Sequence, residues 1–168
     1  MQNLNPTAVS PPAGSCFTRE TTRAIVLRGD EILLLYTARY DDYTLPGGGV
    51  DAGESLPQAL ERELKEETGA KTLLTITEFG RYEEYRPWYK SDFDNVHIVS
   101  HCFVCEICGE FSAPEMEAYE QANGMKPVWM KLSDAIAHNQ QKLADPNNKG
   151  QSVRRELTLL NHIAEQLL

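Results

Sequence analysis

The sequence predicts a single α/β domain, and three observations support that fold class. The chain has 168 residues, which is typical of one domain built around one core. Segments rich in β-branched and aromatic residues predict strands at 17–27, 31–37 and 96–107. Amphipathic segments at 55–68 and 152–168 predict helices. No repeat and no linker divides this series, so we expect the elements to share one core.

The remaining elements follow from local composition. The first two strands are joined by Arg28-Gly29-Asp30, which is typical of a tight turn. Further elements are predicted as a loop at 39–45, a strand at 71–86 that bends near Gly80, a loop at 109–124, a short strand at 127–131 and a short helix that begins at Ser133. Residues 1–15 contain three prolines and predict an irregular N-terminal tail. The domain is therefore expected to span residues 16–168.

Charge and hydropathy exclude two classes of partner. The net charge is −9, from 25 acidic and 16 basic residues, whereas a broad nucleic-acid surface needs an excess of Lys and Arg. No apolar run approaches the roughly 20 residues that span a bilayer. The N-terminal residues lack the basic start and apolar middle of a signal peptide. We therefore expect a cytoplasmic protein that binds neither nucleic acid nor membrane.

Three of the four cysteines, Cys102, Cys105 and Cys108, are spaced C-x2-C-x2-C, which raises the question of a metal site. They lie in the predicted strand 96–107 and just beyond it. Side chains three apart on a strand point to opposite faces, so Cys102 and Cys105 are not expected to share a metal. Structural cysteines are the favoured interpretation, and free thiols suit a reducing compartment.

The helix at 55–68 carries carboxylates on its apolar face. Ser55 and Gln58 predict a capping box, and Gly69 is well placed to end the helix. At about 100° per residue, Glu63 and Glu67 project within the arc of the leucines, and Glu66 projects beside it. Burying neighbouring carboxylates without a cation is costly because they repel one another. This face therefore predicts a site for a hard cation, Mg²⁺ or Mn²⁺.

A glycine-rich segment, Gly47-Gly48-Gly49, precedes this helix. Without Cβ atoms its backbone can approach a ligand closely and present amides or carbonyls to it. Gly48 and Gly49 are therefore predicted to contact substrate. By itself a run of glycines is weak evidence, since it often marks only a turn.

Together these residues resemble the Nudix box, G-x5-E-x7-R-E-U-x-E-E-x-G-U, where U is a bulky aliphatic residue. The match comprises Gly48, Glu54, Arg62, Glu63, Leu64, Glu66, Glu67 and Gly69. Only the last position departs, since Ala70 replaces a larger aliphatic residue. The resemblance covers 23 residues and implies a Nudix fold, a mixed β-sheet sandwiched between α-helices.

The resemblance also implies an activity and a set of roles. A Nudix enzyme hydrolyses a pyrophosphate linkage in a nucleoside diphosphate derivative, with a divalent metal held here by Glu63, Glu66, Glu67 and the Gly47 carbonyl. Arg62 would orient the glutamates through charge-assisted hydrogen bonds, and Glu54 would support the loop or contact metal-bound water. The general base would be Glu63 or a glutamate of the loop 109–124. The loop offers Glu115, Glu117 and Glu120, of which Glu120 is slightly favoured.

The substrate is not specified by the box. Aromatic and basic side chains cluster after the helix, and Arg81, Tyr85 and Trp88 are predicted to bind the substrate by stacking and by contacts to phosphate. The competing interpretation places these aromatics in the core or in the interface of a homodimer. Nucleotide sugars, ADP-ribose, dinucleotides and nucleoside triphosphates all stay open as substrates. The alternative function is a non-catalytic Nudix module that senses a nucleotide.

Overall fold

The computed structural model describes residues 1–168, apart from the side chain of Glu110. The described residues form eight strands and four helices, which follow one another in the order β1 (Cys16–Ile25), β2 (Leu27–Arg28), β3 (Glu31–Thr37), β4 (Asp42–Thr44), β5 (Gly47–Gly49), α1 (Leu56–Thr68), β6 (Ala70–Pro87), β7 (Asn95–Phe111), α2 (Ala118–Ala122), β8 (Met125–Lys131), α3 (Leu132–Ala144) and α4 (Val153–Leu167). None of the described helices is long and apolar enough to cross a membrane.

The strands form two sheets of four strands each. The first has the order β5-β1-β7-β6 and is mixed, because β1 runs parallel to β7 over ten residue pairs while the other neighbours are antiparallel. The second has the order β2-β3-β4, with β8 paired to the other edge of β3. Strands β4 and β5 are close in the chain but belong to different sheets. Both sheets therefore contribute to the cleft described below.

Helices cover the sheets from two sides. Helix α1 packs its leucines on a cluster with Ala24, Phe103 and Cys105. Helices α3 and α4 close a second cluster through side chains such as Leu160 and Ile163. The predicted α/β/α arrangement with a mixed sheet is confirmed, although the strands divide into two sheets.

The cysteines lie where the strand prediction placed them. Cys102 is completely buried in the cluster of α3 and α4, whereas Cys105 is buried in the cluster of α1, on the other face of β7. Burial raises the pKa of both thiols to about 12, so neither is a thiolate at neutral pH. All four cysteines are free, and Cys16 and Cys108 are exposed.

Three predicted elements differ in the structure. The predicted loop 39–45 contains β4, which pairs with β3 through tertiary contacts that its polar composition does not show. The predicted loop 109–124 is shorter than expected, because β7 extends to Phe111, and it contains the short helix α2. Helix α3 begins at Leu132 without a side-chain cap, rather than at Ser133, because β8 leads directly into it, and it extends to Ala144.

The N-terminal segment is irregular, but it is anchored to the domain. The backbone of Leu4 donates to the carbonyl of Arg81 at 2.8 Å, and Arg81 donates to the carbonyl of Gln2 at 2.8 Å. The Leu4 side chain is 1% exposed and belongs to the core cluster of α3 and α4. A Cβ on Gly80 would lie 2.5 Å from Cγ of Leu4, so the glycine makes room for this leucine.

Candidate active site

Helix α1 positions the acidic residues, and its termini are defined by its own sequence. The Ser55 hydroxyl accepts from the backbone of Gln58 at 3.2 Å, and the Gln58 side chain accepts from the Ser55 backbone at 2.9 Å. This reciprocal pair is the predicted capping box. Gly69 ends the helix in the left-handed conformation at φ 77°. A Cβ there would lie 1.7 Å from the carbonyl oxygen of Ser112, so a side chain is excluded.

The buried face of α1 is acidic, as the helical wheel predicted. Glu63 is 9% exposed and Glu67 only 2%, whereas Glu61 and Lys65 on the opposite side are exposed. Burial and the neighbouring Glu63 carboxylate raise the pKa of Glu67 well above its ordinary value. The same two causes raise the pKa of Glu66. The repulsion that favours binding of a cation is therefore present in the folded chain.

Arg62 links these acids to the preceding loop. Its guanidinium donates twice to the Glu54 carboxylate, both at 2.8 Å, and once to Oε1 of Glu63 at 2.9 Å. It also donates to the carbonyl of Gly49 at 2.9 Å, and its distance to Glu66 is 3.5 Å. The hydrogen bonds from Arg62 and from the Asp51 backbone lower the pKa of Glu54 to about 2. Arg62 thus holds the glycine strand, the loop and Glu63 together.

The glycine strand β5 runs against the acidic helix. The backbone of Gly47 donates to Oε2 of Glu67 at 2.9 Å, and the Gly47 carbonyl accepts from Arg23 at 3.1 Å. Gly48 lies closest to the acids, because a Cβ there would lie 2.5 Å from Oε1 of Glu63. Any larger residue at this position would displace that carboxylate. Gly48 is therefore required for close approach rather than for an unusual φ.

The donor set suits a hard divalent cation. Glu63, Glu66 and Glu67 supply carboxylate oxygens, the ligands that Mg²⁺ and Mn²⁺ prefer. Among the described side chains, no three acidic, histidine or cysteine groups converge closely enough to form a finished metal site. The carboxylates of Glu63 and Glu67 instead accept from Arg62 and from the Gly47 amide. The residues fit the metal by chemistry and by mutual repulsion, and they would have to turn towards it.

The three candidate bases of the predicted loop occupy different positions. Glu120 on α2 is 3% exposed and accepts from the Glu117 backbone at 2.9 Å. It lies close enough to Glu67 to contribute to the raised pKa of Glu67. Glu117 is exposed beside Glu63 in a smaller cavity. Glu115 is exposed, and its backbone donates to the carbonyl of Glu66 at 2.7 Å. Among the three, only Glu120 lies in the large cleft with Glu67.

A cleft of about 550 Å³ lies beside these acids, a volume that accommodates a nucleotide-sized ligand. It is lined by the glycines of β5, by Glu67 and Glu120, and by basic side chains that include Arg19, Arg23 and Arg86. A second cavity of about 390 Å³ adjoins it and contains Arg62 and Glu63. Arg19, Gly49, Tyr89 and Tyr119 line both cavities and so mark their junction.

The basic side chains of the cleft have unused hydrogen-bonding groups. Arg19 has no ion pair or side-chain hydrogen bond among the described residues. Nε of Arg23 and Nη2 of Arg86 are buried without a partner among those residues. Buried donors without partners are rare in folded proteins and call for an explanation. Anionic oxygens of a ligand would satisfy them.

The cleft contains some of the predicted substrate residues but not others. Gly48 and Gly49 line it. Arg81 and Tyr85 lie on the other face of β6, where Arg81 pairs with Glu83 and Tyr85 stacks on His97 with centroids 4.6 Å apart. Trp88 packs edge-on against Phe17 at 4.8 Å. Side chains alternate along a strand, so Arg86 faces the cleft while Tyr85 points away.

Sequence reasoning missed the basic residues of β1. Arg19, Thr21 and Arg23 alternate along the strand, so that all three point into the cleft. That period of two was visible in the sequence. The sequence did not show which face of the sheet these three residues occupy, because both faces of this strand carry polar residues.

An α/β/α fold with a glycine strand against an acidic helix and a basic cleft defines a domain suited to a metal and a phosphorylated ligand. The chain belongs to the NUDIX domain family, because the sequence model of that family matches residues 18–154. The family assignment thus covers most of the chain and includes both the box and the strands that build the cleft.

Curated relatives match over shorter stretches. An 8-oxo-(d)GTP phosphatase of Mycolicibacterium smegmatis is 46% identical over 44 residues, which cover 26% of this chain and 14% of that protein. An RNA pyrophosphohydrolase of Ruthia magnifica is 37% identical over 76 residues, which cover 44% of this chain and 40% of that protein. The chain therefore spans less than half the length of these relatives.

A solved structure matches nearly the whole fold. The NUDIX hydrolase from Nitrosomonas europaea superimposes with a TM-score of 0.61 at 19% identity, over 88% of this chain and 90% of that one. At this identity the likeness establishes the shared fold.

Proposed function

We propose that the chain is a divalent-metal-dependent pyrophosphohydrolase that cleaves a nucleoside diphosphate derivative. The observation that carries the proposal is the buried pair Glu63 and Glu67, which repel each other beside a basic cleft. Acids kept in such a position destabilise the chain unless they bind a cation. The names of the relatives, a nucleotide phosphatase and a pyrophosphohydrolase, support the same class of reaction.

Each element of the site has a defined task in this proposal. Glu63, Glu66 and Glu67 would hold Mg²⁺ or Mn²⁺, and the ion would supply positive charge to the phosphate oxygens and a lower pKa for the attacking water. Arg62 keeps Glu63 oriented, since its guanidinium is itself fixed by two hydrogen bonds to Glu54. The Gly47 amide keeps Glu67 in place from the other side.

The remaining residues bind the substrate and move the proton. Arg19 lies at the junction of the two cavities, and a Cβ on Gly49 would be only 3.1 Å from its guanidinium. It can therefore bind a phosphate that reaches from the cleft towards Glu63. Glu120 is buried beside Glu67 and is the proposed general base, which accepts the proton of the attacking water. As the oxygen of the water bonds to one phosphorus, the bond from that phosphorus to the bridging oxygen breaks, so that two phosphate-bearing products form.

The proposal is tested by a substrate panel with Mg²⁺. Purified protein is incubated with nucleotide sugars, ADP-ribose, dinucleotides, dinucleoside polyphosphates and nucleoside triphosphates, and the release of nucleoside monophosphate or phosphate is measured. We expect turnover of at least one class. Binding of a nucleotide without turnover of any would instead show a sensing module.

Two variants connect the activity to the acidic face. Glu67→Gln removes the charge but keeps the shape, and we expect it to abolish turnover while the fold stays intact. Glu61→Gln on the exposed side of the same helix is the matched control and should keep full activity. Equal activity of the two variants would refute the proposed metal site.

A further inference from the structure

Asp42 on β4 is a buried residue whose carboxyl oxygens reach the cleft and have no hydrogen-bond partner among the described residues. It is 2% exposed and lines the large cleft, and no hydrogen bond or ion pair to its side chain occurs among the described residues. Its neighbour Asp41 is more exposed and yet is paired with Lys142, Tyr36 and His138. A carboxyl group buried without partners costs free energy, so its position in a binding cleft points to a ligand.

The surroundings of Asp42 suit a flat ring with a polar edge. The register of the second sheet aligns Met125, Thr37 and Asp42 in one row across three strands, and all three line the cleft. Tyr40 lines the same end, because the Cβ position of Gly150 is 3.0 Å from Oδ2 of Asp42 and 3.4 Å from Cβ of Tyr40. An apolar and an aromatic side chain beside one carboxyl group are typical of a pocket for a heterocyclic base.

The cleft also has a direction. Its other end, at Arg19 and Gly49, opens towards the cavity of Glu63. The proposed function places the phosphates at that end, and this inference rests on that assignment. A nucleotide bound in this orientation extends its base towards β4 and Asp42.

The chemistry of a carboxylate then selects the base. An ionised carboxylate offers two acceptors and no donor. Guanine presents two adjacent donors on its Watson–Crick edge, the ring N1–H and the 2-amino group. Adenine and cytosine place a donor beside an acceptor, and uracil and thymine have one donor between two acceptors. We propose that Asp42 binds the Watson–Crick edge of guanine and makes the enzyme selective for guanine nucleotides.

The test is calorimetric binding of four nucleoside 5′-diphosphates in the presence of Mg²⁺. Guanosine diphosphate should bind best, and inosine diphosphate, which lacks only the 2-amino group, should bind ~10-fold more weakly, as expected for a lost hydrogen bond to a charged group. Adenosine diphosphate should bind more weakly still. The fourth probe, xanthosine diphosphate, replaces the 2-amino group by a carbonyl.

Substitution of Asp42 should change the preference rather than only weaken it. In Asp42→Asn the oxygen can still accept from N1–H, but the amide now donates. Binding of guanosine diphosphate should fall by ~10- to 100-fold, and xanthosine diphosphate should become the better ligand because its carbonyl accepts from the amide. Asp41→Asn is the matched control, because Asp41 is absent from the residues that line the cleft.

The outcomes separate this inference from the proposed hydrolysis. Turnover in the panel with equal binding of guanosine and inosine diphosphates would overturn the role of Asp42 and leave the hydrolase intact. Discrimination between the bases without turnover would do the reverse. If Asp42→Asn fails to fold, the comparison of guanosine with inosine on the wild-type protein still decides. Absence of binding by all four diphosphates would also overturn the inference.

Discussion

Replacing Arg155 by methionine should destabilise the protein, because it disrupts the buried ion-pair network that supports the glycine strand. Arg155 is 4% exposed and donates to Oε1 of Glu156 at 2.8 and 3.0 Å and to Glu84 at 3.0 Å. Glu156 is completely buried, and its other oxygen accepts from the backbone of Leu45 at 2.9 Å. This network therefore holds the chain two residues before Gly47.

The expected cost follows from the burial of the partners. Removing one member of a buried ion pair leaves an uncompensated charge and typically costs about 3–5 kcal/mol. Here Glu156 loses its charged partner, and Glu84 keeps only Arg86. For a chain of this length the loss corresponds to a decrease of roughly 6–20 °C in Tm. It would remove a large share of the roughly 5–15 kcal/mol that stabilises a typical domain.

The pH dependence has a defined sign. Burial alone would raise the pKa of Glu84, but Arg155 and Arg86 together hold it below its ordinary value. A carboxyl group with a lowered folded pKa stabilises the protein above its unfolded pKa, and this contribution is lost as the pH falls through the folded pKa. The difference in the free energy of unfolding between wild type and Arg155→Met should therefore be largest near neutral pH and become smaller in acid.

The assay is urea unfolding followed by circular dichroism. Arg154→Met is the matched control, because Arg154 is the exposed neighbour on the same helix and should change the free energy of unfolding by no more than about 0.5 kcal/mol. A cost of less than about 1 kcal/mol for Arg155→Met would refute the reasoning. Combining it with Glu156→Gln and Glu84→Gln should recover part of the loss, since neutral partners need no cation.

Three further predictions concern other parts of the chain. Gly48→Ala should weaken Mg²⁺ binding by ~10- to 100-fold in a titration, because its Cβ displaces the Glu63 carboxylate; unchanged affinity would contradict this role. Leu4→Ala should cost about 2–5 kcal/mol in urea unfolding, against almost nothing for the exposed Val9→Ala; equal values would show that the N-terminal segment is not anchored. Burial and Glu156 raise the pKa of Asp42 to about 6. The folded protein thus holds the proton of Asp42 more tightly than the unfolded chain does. Wild type should therefore lose stability relative to Asp42→Asn as the pH rises through the folded pKa of about 6. A difference in the free energy of unfolding that does not change with pH would contradict this prediction.

The acidic face of α1 was predictable because its determinants are local. A helix has a period of 3.6 residues, so the spacing of Leu60, Glu63, Leu64 and Glu67 already shows that acids and leucines share one face. The capping box and the terminal glycine are equally local, since their hydrogen bonds join residues three or four apart. The faces of Cys102 and Cys105 follow from strand geometry in the same way.

The substrate end of the cleft was not predictable, because it is assembled from distant segments. Tyr85 and Trp88 have the composition of a binding site, yet strand alternation and packing on Phe17 direct them elsewhere. Asp42 lies in a segment whose polar composition predicted a loop, and only its pairing with Thr37 makes it part of a buried row. Composition shows which groups are present, whereas pairing decides where they point.

The fold class, the family and the acidic face of α1 were therefore readable from the amino-acid sequence. Three features became visible only in the folded chain: which basic residues line the cleft, that Leu4 belongs to the core, and that Asp42 is buried beside the cleft. The difference lies in the range of the interactions. Helix periodicity and caps depend on neighbours within one or two turns, but the register between β3, β4 and β8 joins residues as far apart as Glu31 and Lys131, which are 100 positions apart.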